Sequence, residues 1–270
     1  MKLSVSANSQ SRELQDCSIS YVIKTKNHSV RLQNRFGFKI VITLGDTFDP
    51  EINGFQHRAV KGFIISRNVL HGWSSGEAAM FISLIEPASR WGRDLRVLLA
   101  GRDVCLIEEL IAVEEVDSIL PRELDMMNET VIVERIQAFF SRLAKKEPAL
   151  PRKHMDDRMG RVISYIDQNL SQNIDLSEVA NLAHLSSHRF RHLFTEQIGL
   201  PFTQYIIWQR LKKSIYAVAS GEMTLGEAVE NFGFTDQAHF SNTFKKTFGV
   251  FPRVFLQTSH IVLKICVQKE

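Results

Sequence analysis

The chain has 270 residues, 44% hydrophobic and 23% charged, with a formal net charge of +3. That composition excludes a disordered, collagen-like or coiled-coil protein, and the length suits two domains that each bury a core. The charge is too small to name a partner: residues 1–151 balance 19 basic against 19 acidic side chains, while residues 152–257 carry 12 against 10. The second stretch also holds five of the nine histidines, a weak lean toward an anionic partner.

No apolar stretch approaches the ~20 residues that span a bilayer. The opening residues 1–8 have no extended apolar run behind Lys2, so they do not read as a signal peptide. Cys17, Cys105 and Cys266 are odd in number and far apart, which builds neither a disulfide framework nor a thiolate zinc cluster. A soluble, reduced, cytoplasmic protein is the expectation.

From Ile19 to Ile85 the apolar residues alternate in short runs: Ile19, Tyr21, Ile23; Ile40, Ile42, Leu44; Val60, Gly62, Ile64; Phe81, Ser83, Ile85. Period two predicts half-buried strands. Gly45-Asp46, Asp49-Pro50, Asn53-Gly54 and Ser74-Ser75-Gly76 punctuate them as turns, which suits an antiparallel sandwich or small barrel. At Glu86-Pro87 the period changes. Leu95, Leu98 and Leu99 share one helical face, and so do Leu106, Leu110 and Ile111. Ile132, Ile136, Phe139, Phe140 and Leu143 predict a longer amphipathic helix. That stripe is too apolar to face water, so it must pack on its own sheet or across a two-fold axis. Residues 145–153 carry two prolines and five charges, which makes them a linker.

Everything after the linker is helical. Met159, Val162, Ile163 and Ile166 form one stripe; further helices are expected from Leu176 to about Leu185 and from Ser187 to Ile198. Pro201 precedes a longer helix carrying Tyr205, Trp208, Leu211, Ile215 and Val218, ended by Gly221. Thr224 and Glu227 form a capping box, and a last helix opens at Thr235-Asp236 and runs to about Phe248. A shift of 49–50 residues lays this half on itself. Leu176, Val179, Ala180, Leu185 and Ser186 fall on Leu225, Ala228, Val229, Phe234 and Thr235. With one extra residue, Phe190, Phe194 and Gly199 fall on Phe240, Phe244 and Gly249. Each copy is a helix, a tight turn and a polar-capped second helix, the helix-turn-helix pattern that places its second helix in the major groove of DNA.

Residues 156–255 resemble the two-motif DNA-binding domain of the AraC/XylS family of bacterial transcription regulators. The most specific stretch is 228–252. Within it Ala228, Gly233, Phe234, Asp236, His239, Phe240, Phe244, Lys245, Gly249 and Pro252 follow the family signature. Leu193-Phe194, Gly199-Leu200-Pro201 and Arg210-Leu211 match the first motif and the linking helix. Three departures stand out: Asn242 where the family commonly has Arg, Leu256 after Phe255, and an apolar tail over 261–267. The resemblance implies an α+β chain: a cupin-like antiparallel β domain with following helices over 1–144, then the linker at 145–153. A double helix-turn-helix follows over 154–257, with a tail of unknown role over 258–270.

Base and phosphate contacts are then expected from Ser187, His188, Arg191 and His192 in the first motif. In the second they are expected from Gln237, Ala238, His239, Ser241, Asn242, Lys245 and Lys246. Arg pairs with guanine and Gln or Asn with adenine through the major groove. Residues 60–72 look like the strand-turn-His segment of the family's sensor domains, so His28, Arg67, His71 and Trp73 are the candidates for lining an effector pocket. A homodimer paired through the 132–143 helix, contact with RNA polymerase and a small-molecule effector are what the resemblance implies. No membrane partner and no cofactor are expected.

A metal-dependent cupin enzyme fused to a DNA-binding domain is the alternative. His28, His57 and His71 lack a Glu at useful spacing, and His184, His188 and His192 lack the Glu of a zincin helix. A DNA-repair methyl-acceptor would need a reactive Cys in a Pro-Cys-His setting, which none of the three cysteines has. A regulator that is not an enzyme and holds no metal is the leading expectation.

Overall fold

The computed structural model describes residues 3–5, 18–24, 29–74, 78–144 and 155–264. His28 and the 145–153 linker lie outside the described residues. The first half is built of strands β1 (Leu3–Val5), β2 (Ser18–Ile23), β3 (Ser29–Gln33), β4 (Phe38–Thr43), β5 (Glu51–Ile52), β6 (Phe55–Gln56), β7 (Gly62–Ile65), β8 (Leu70–Ser74), β9 (Met80–Ile85) and β10 (Val104–Leu106). Helices α1 (Arg90–Leu99), α2 (Val113–Ile119) and α3 (Glu129–Ala144) flank them. The strands form two sheets. One has the order β3-β8-β5-β6; the other has seven strands and takes in β11 (Ser259–Lys264) from the far end of the chain, in the order β1-β11-β2-β9-β4-β7-β10.

The alternation seen in the sequence sorts side chains between the two faces of the large sheet. Phe38, Ile40 and Ile42 of β4 pack with Trp91, Leu95, Phe139 and Phe140 of the helices. Val41 of the same strand, with Tyr21, Phe63 and Ile82, faces Val30, Ile52 and Trp73 of the small sheet and the aromatic core of the helical half. Both faces are covered, so β2, β4 and β9 are buried along their whole length.

Two expectations for the first half need correction. Leu106, Leu110 and Ile111 do not share a helix: Val104, Cys105 and Leu106 form β10, which completes the edge of β7, and only a single 3-10 turn, Ile107–Glu109, follows. A β-branched residue beside an open strand edge favoured pairing over a helical stripe. The stripe of α3 is spent on its own domain. Ile132, Ile136, Phe139, Phe140 and Leu143 are all buried, with Phe139 edge-on to Phe81 and Phe140 beside Trp91. The outward side of α3 is Thr130, Glu134, Gln137 and Ser141, so the apolar argument for a dimer through this helix falls.

The helical half runs α4 (Asp157–Gln168), α5 (Leu176–Leu182), α6 (Ser187–Ile198), α7 (Phe202–Ala219), α8 (Leu225–Asn231), α9 (Gln237–Phe248) and α10 (Pro252–Thr258). Side-chain oxygens close the helix starts: Asp175 for α5, Ser186 for α6, Thr224 with Glu227 for α8 and Asp236 for α9. Gly199 and Gly249 end α6 and α9 in the left-handed conformation, at φ of 78° and 84°. A Cβ at Gly199 would also run into Pro87 of the sheet domain. The expectation that everything after the linker is helical fails at the tail, where a run rich in β-branched residues pairs as a strand: β11 lies between β1 and β2, antiparallel to β2 with His260 opposite Val22, and parallel to β1 with Ile261 opposite Leu3.

Candidate nucleic-acid interface

Both recognition helices are amphipathic, and their buried stripes are aromatic. In α6, Phe190 and Phe194 stand 5.5 Å apart and pack on Phe202 and Tyr205 of α7. In α9, Phe240, Phe244 and Phe248 form a ladder closed by Phe255 of α10. Those stripes fix which side of each helix faces outward. His188, Arg191 and His192 are exposed on α6, with Ser187 half-buried at its start. Gln237, Ala238, His239, Asn242, Lys245 and Lys246 are exposed on α9, with Ser241 half-buried. The DNA-binding residues expected from sequence therefore lie away from the buried stripes of the two recognition helices.

Local contacts shape those faces. His188 and His192 approach through their Nε2 atoms at 3.3 Å, one turn apart on α6. The Asp236 carboxylate accepts from the His239 backbone N–H at 2.7 Å, which holds the start of α9 in one conformation. Lys245 reaches over the ring of Phe251 at 4.4 Å. Beside α9 a groove of about 520 Å³ is lined by Leu225, Gln237, Ser241, Phe251, Arg253 and Gln257. The sequence reading missed Arg253, which extends the basic rim of this face onto α10; it lies past the second recognition helix, where motif matching stops.

Arg210 is turned inward. From the middle of α7 its guanidinium donates to the carbonyls of Leu170 at 3.0 Å, Gln172 at 2.6 Å and Gly233 at 2.7 Å. The first two lie ahead of the first motif, and the third lies in the turn of the second. One side chain therefore ties the α4–α5 connection and the turn of the second motif to the helix between the motifs.

The expected effector residues are only partly gathered. His71 and Trp73, both on β8, stack at 5.8 Å in the space between the sheets, with Phe63 edge-on to each. Arg67 sits half-exposed on the turn between β7 and β8, outside that apolar interior. Lys39, which the sequence reading missed, completes the group: its Nζ lies 3.2 Å from Nε2 of His71 and 3.5 Å from the carbonyl of Thr247 at the end of α9. Burial lowers the Lys39 ammonium from 10.5 to about 7. Burial, and then the nearby lysine charge, push His71 well below its usual value. An inward lysine was legible as position 39 of the alternating 38–43 run, one register step from its apolar neighbours. Among the described residues, no three histidine, cysteine or carboxylate side chains gather as metal ligands.

Comparison with known proteins gives the arrangement its relatives. Residues 179–258 match the model of a helix-turn-helix domain. The arabinose operon regulatory protein of Escherichia coli is 27% identical over 161 residues, which cover 59% of this chain and 48% of that protein. The regulatory protein PocR of Salmonella typhimurium is 28% identical over 114 residues, 42% of this chain and 37% of that protein. The chain spans about half the length, or less, of these curated relatives. Among solved structures, ToxT of Vibrio cholerae covers 89% of this chain and 98% of its own at 17% identity, with a TM-score of 0.52. An apo structure of a point variant of ToxT reaches a TM-score of 0.58 at 15% identity, covering 91% of this chain and 99% of that one. At those identities the likeness is one of fold, and it spans both halves. With its doubled motif, its signature residues and these relatives, the helical half is similar to the DNA-binding domain of the AraC/XylS family of bacterial transcription regulators, and residues 179–258 carry a helix-turn-helix domain.

Proposed function

We propose that the chain is a one-component transcription regulator, not an enzyme, that reads two successive major-groove segments of promoter DNA through α6 and α9. The observation that carries this reading is the pair of helix-turn-helix units, each with its aromatic stripe buried and its Arg, His, Gln, Asn and Lys side chains turned outward. Arg191 supplies a planar fork for a guanine edge, and Gln237 and Asn242 offer amides to adenine. Lys245 and Lys246, at the end of α9, suit phosphate. Duplexes selected in vitro from a random pool by the full chain test the reading. Footprinting on them should show two protected major-groove segments about one helical turn, ~34 Å, apart. A chain that selects no duplex, or that protects one groove alone, overturns it.

The sheet domain is the sensor in this proposal, with a small molecule as effector. Lys39, His71 and Trp73 supply a buried amine, an imidazole and an indole between the two sheets. ToxT has been solved bound to an unsaturated fatty acid and to (E)-4-(8-methylnaphthalen-1-yl)but-3-enoic acid, two carboxylic acids. A carboxylate would favour the charged form of Lys39 that burial disfavours, which makes an organic acid the class of effector we favour. Homodimerisation and contact with RNA polymerase rest on the family alone.

A further inference from the structure

Three side chains of α7 converge on one carboxylate of the sheet domain. Glu86, 3% exposed, directly follows β9. Its Oε1 accepts from Trp208 Nε1 at 2.7 Å and from Gln209 Nε2 at 3.4 Å, and it pairs with the buried ammonium of Lys212. Positions 208, 209 and 212 share one face of the helix. Phe36 stacks on Trp208 at 5.3 Å, and the backbone of Gly199 packs against Pro87, the neighbour of Glu86. Arg210 points elsewhere on the same helix and binds the α4–α5 connection just ahead of the first motif and the turn of the second. α7 is therefore gripped by the sheet domain on one side and, with another, holds the connection into the first motif and the turn of the second.

The second motif meets the sheet domain again at its far end. Phe248 and Phe255 pack edge-on to Tyr21 at 5.9 and 4.8 Å, Lys39 approaches the Thr247 carbonyl, and Gly249 lies where a side chain would meet Val30 and Leu32. Two separated contacts on one rigid body fix its orientation, which a single contact cannot do. We infer that Glu86 is a positioning residue for DNA binding: it seats α7 on the sheet domain so that, with the contact at the end of α9, the separation and phase of α6 and α9 are set. Glu86 lies between the domains rather than in the core of either, and the donors that meet its carboxylate come from α7. The inference rests on the proposal that both helices enter DNA.

The test uses the full chain and the duplexes it selects. Affinity is measured for a selected duplex and for the same duplex with one base pair inserted between its two protected segments. The insertion moves and rotates the second segment relative to the first. Wild type should discriminate strongly between the two. Glu86→Gln combined with Lys212→Gln removes both buried charges and leaves amides able to pair, avoiding an uncompensated ion. That double variant should show the discrimination ratio reduced by about tenfold, the scale of coupling within one contact network. Should it fail to fold, Trp208→Phe removes one donor, keeps the ion pair and is read by the same ratio. An unchanged ratio, even with a lowered thermal midpoint, would mean that Glu86 is merely structural and overturns the inference. A wild-type chain that selects no duplex overturns the DNA reading and this inference together, whereas selection with an unchanged ratio overturns this one alone.

Discussion

Arg191 and Lys246 both stand exposed on recognition helices, and their chemistry predicts different phenotypes. A bidentate guanidinium–guanine contact discriminates by roughly 1–3 kcal/mol, so Arg191→Ala should weaken the selected duplex most and flatten the penalty for changing one base pair. Lys246→Ala should weaken selected and random duplexes alike and lower the salt slope by about one unit. Titrations of both variants on both duplexes at two salt concentrations check this; equal losses for Arg191→Ala on every duplex would make it a phosphate clamp. Lys39 makes a different prediction. The unfolded chain holds its proton up to about 10.5, while the folded chain gives it up near 7. Between those values the unfolded state binds more protons, so stability should climb from about pH 7 to about pH 10.5 and then level off for this residue. Lys39→Met should remove that rise and raise the thermal midpoint at about pH 6–7. A midpoint-versus-pH curve with the same slope as wild type would refute it.

The elements of the helical half were legible because local rules decide them. Thr224 with Glu227, Ser186, Asp236, Gly199 and Gly249 mark starts and stops within one turn of the chain, and helix, turn and helix fall where the repeat put them. The sheet domain was legible only as strands. Which strands pair, and that β10 takes the edge of β7, depends on residues tens of positions apart. The tail stood out as an apolar run, but nothing local named the strands it joins. As β11 it pairs along the whole of β2, so deleting residues 259–270 should open that strand edge and cost about 1–3 kcal/mol. A lowered urea midpoint measures that cost; an unchanged one would mean that β11 contributes nothing to stability.

For the whole molecule, motif and family resemblance brought out the proposed reading surface, because that surface is a set of outward side chains on two helices. The same approach could not reach the contacts between the halves. Glu86 reads in the sequence as the acid before a proline, and Lys212 as one of two lysines on a helix. Their meeting spans 126 positions and is fixed only when both domains have folded. Lys39 and Thr247, 208 positions apart, meet under the same condition. No helix among the described residues is long and apolar enough to cross a membrane. The sheet domain and the helical domain share one hydrophobic cluster that runs from Ile19 and Trp73 to Phe244 and Phe255. A disturbance in either half is therefore felt as packing in the other.

The placement of β11 between β1 and β2 bears on how the molecule is made. Its largest sheet cannot close while the chain is growing from the ribosome, because one inner strand is synthesised only after α4 to α10. Until then β2 carries an open edge, the kind that pairs with stray strands and seeds aggregation. Premature termination just beyond α10 would leave both proposed DNA-reading helices intact yet release a sheet domain with an unfinished edge, so a nonsense mutation there should appear first as poor yield of soluble protein.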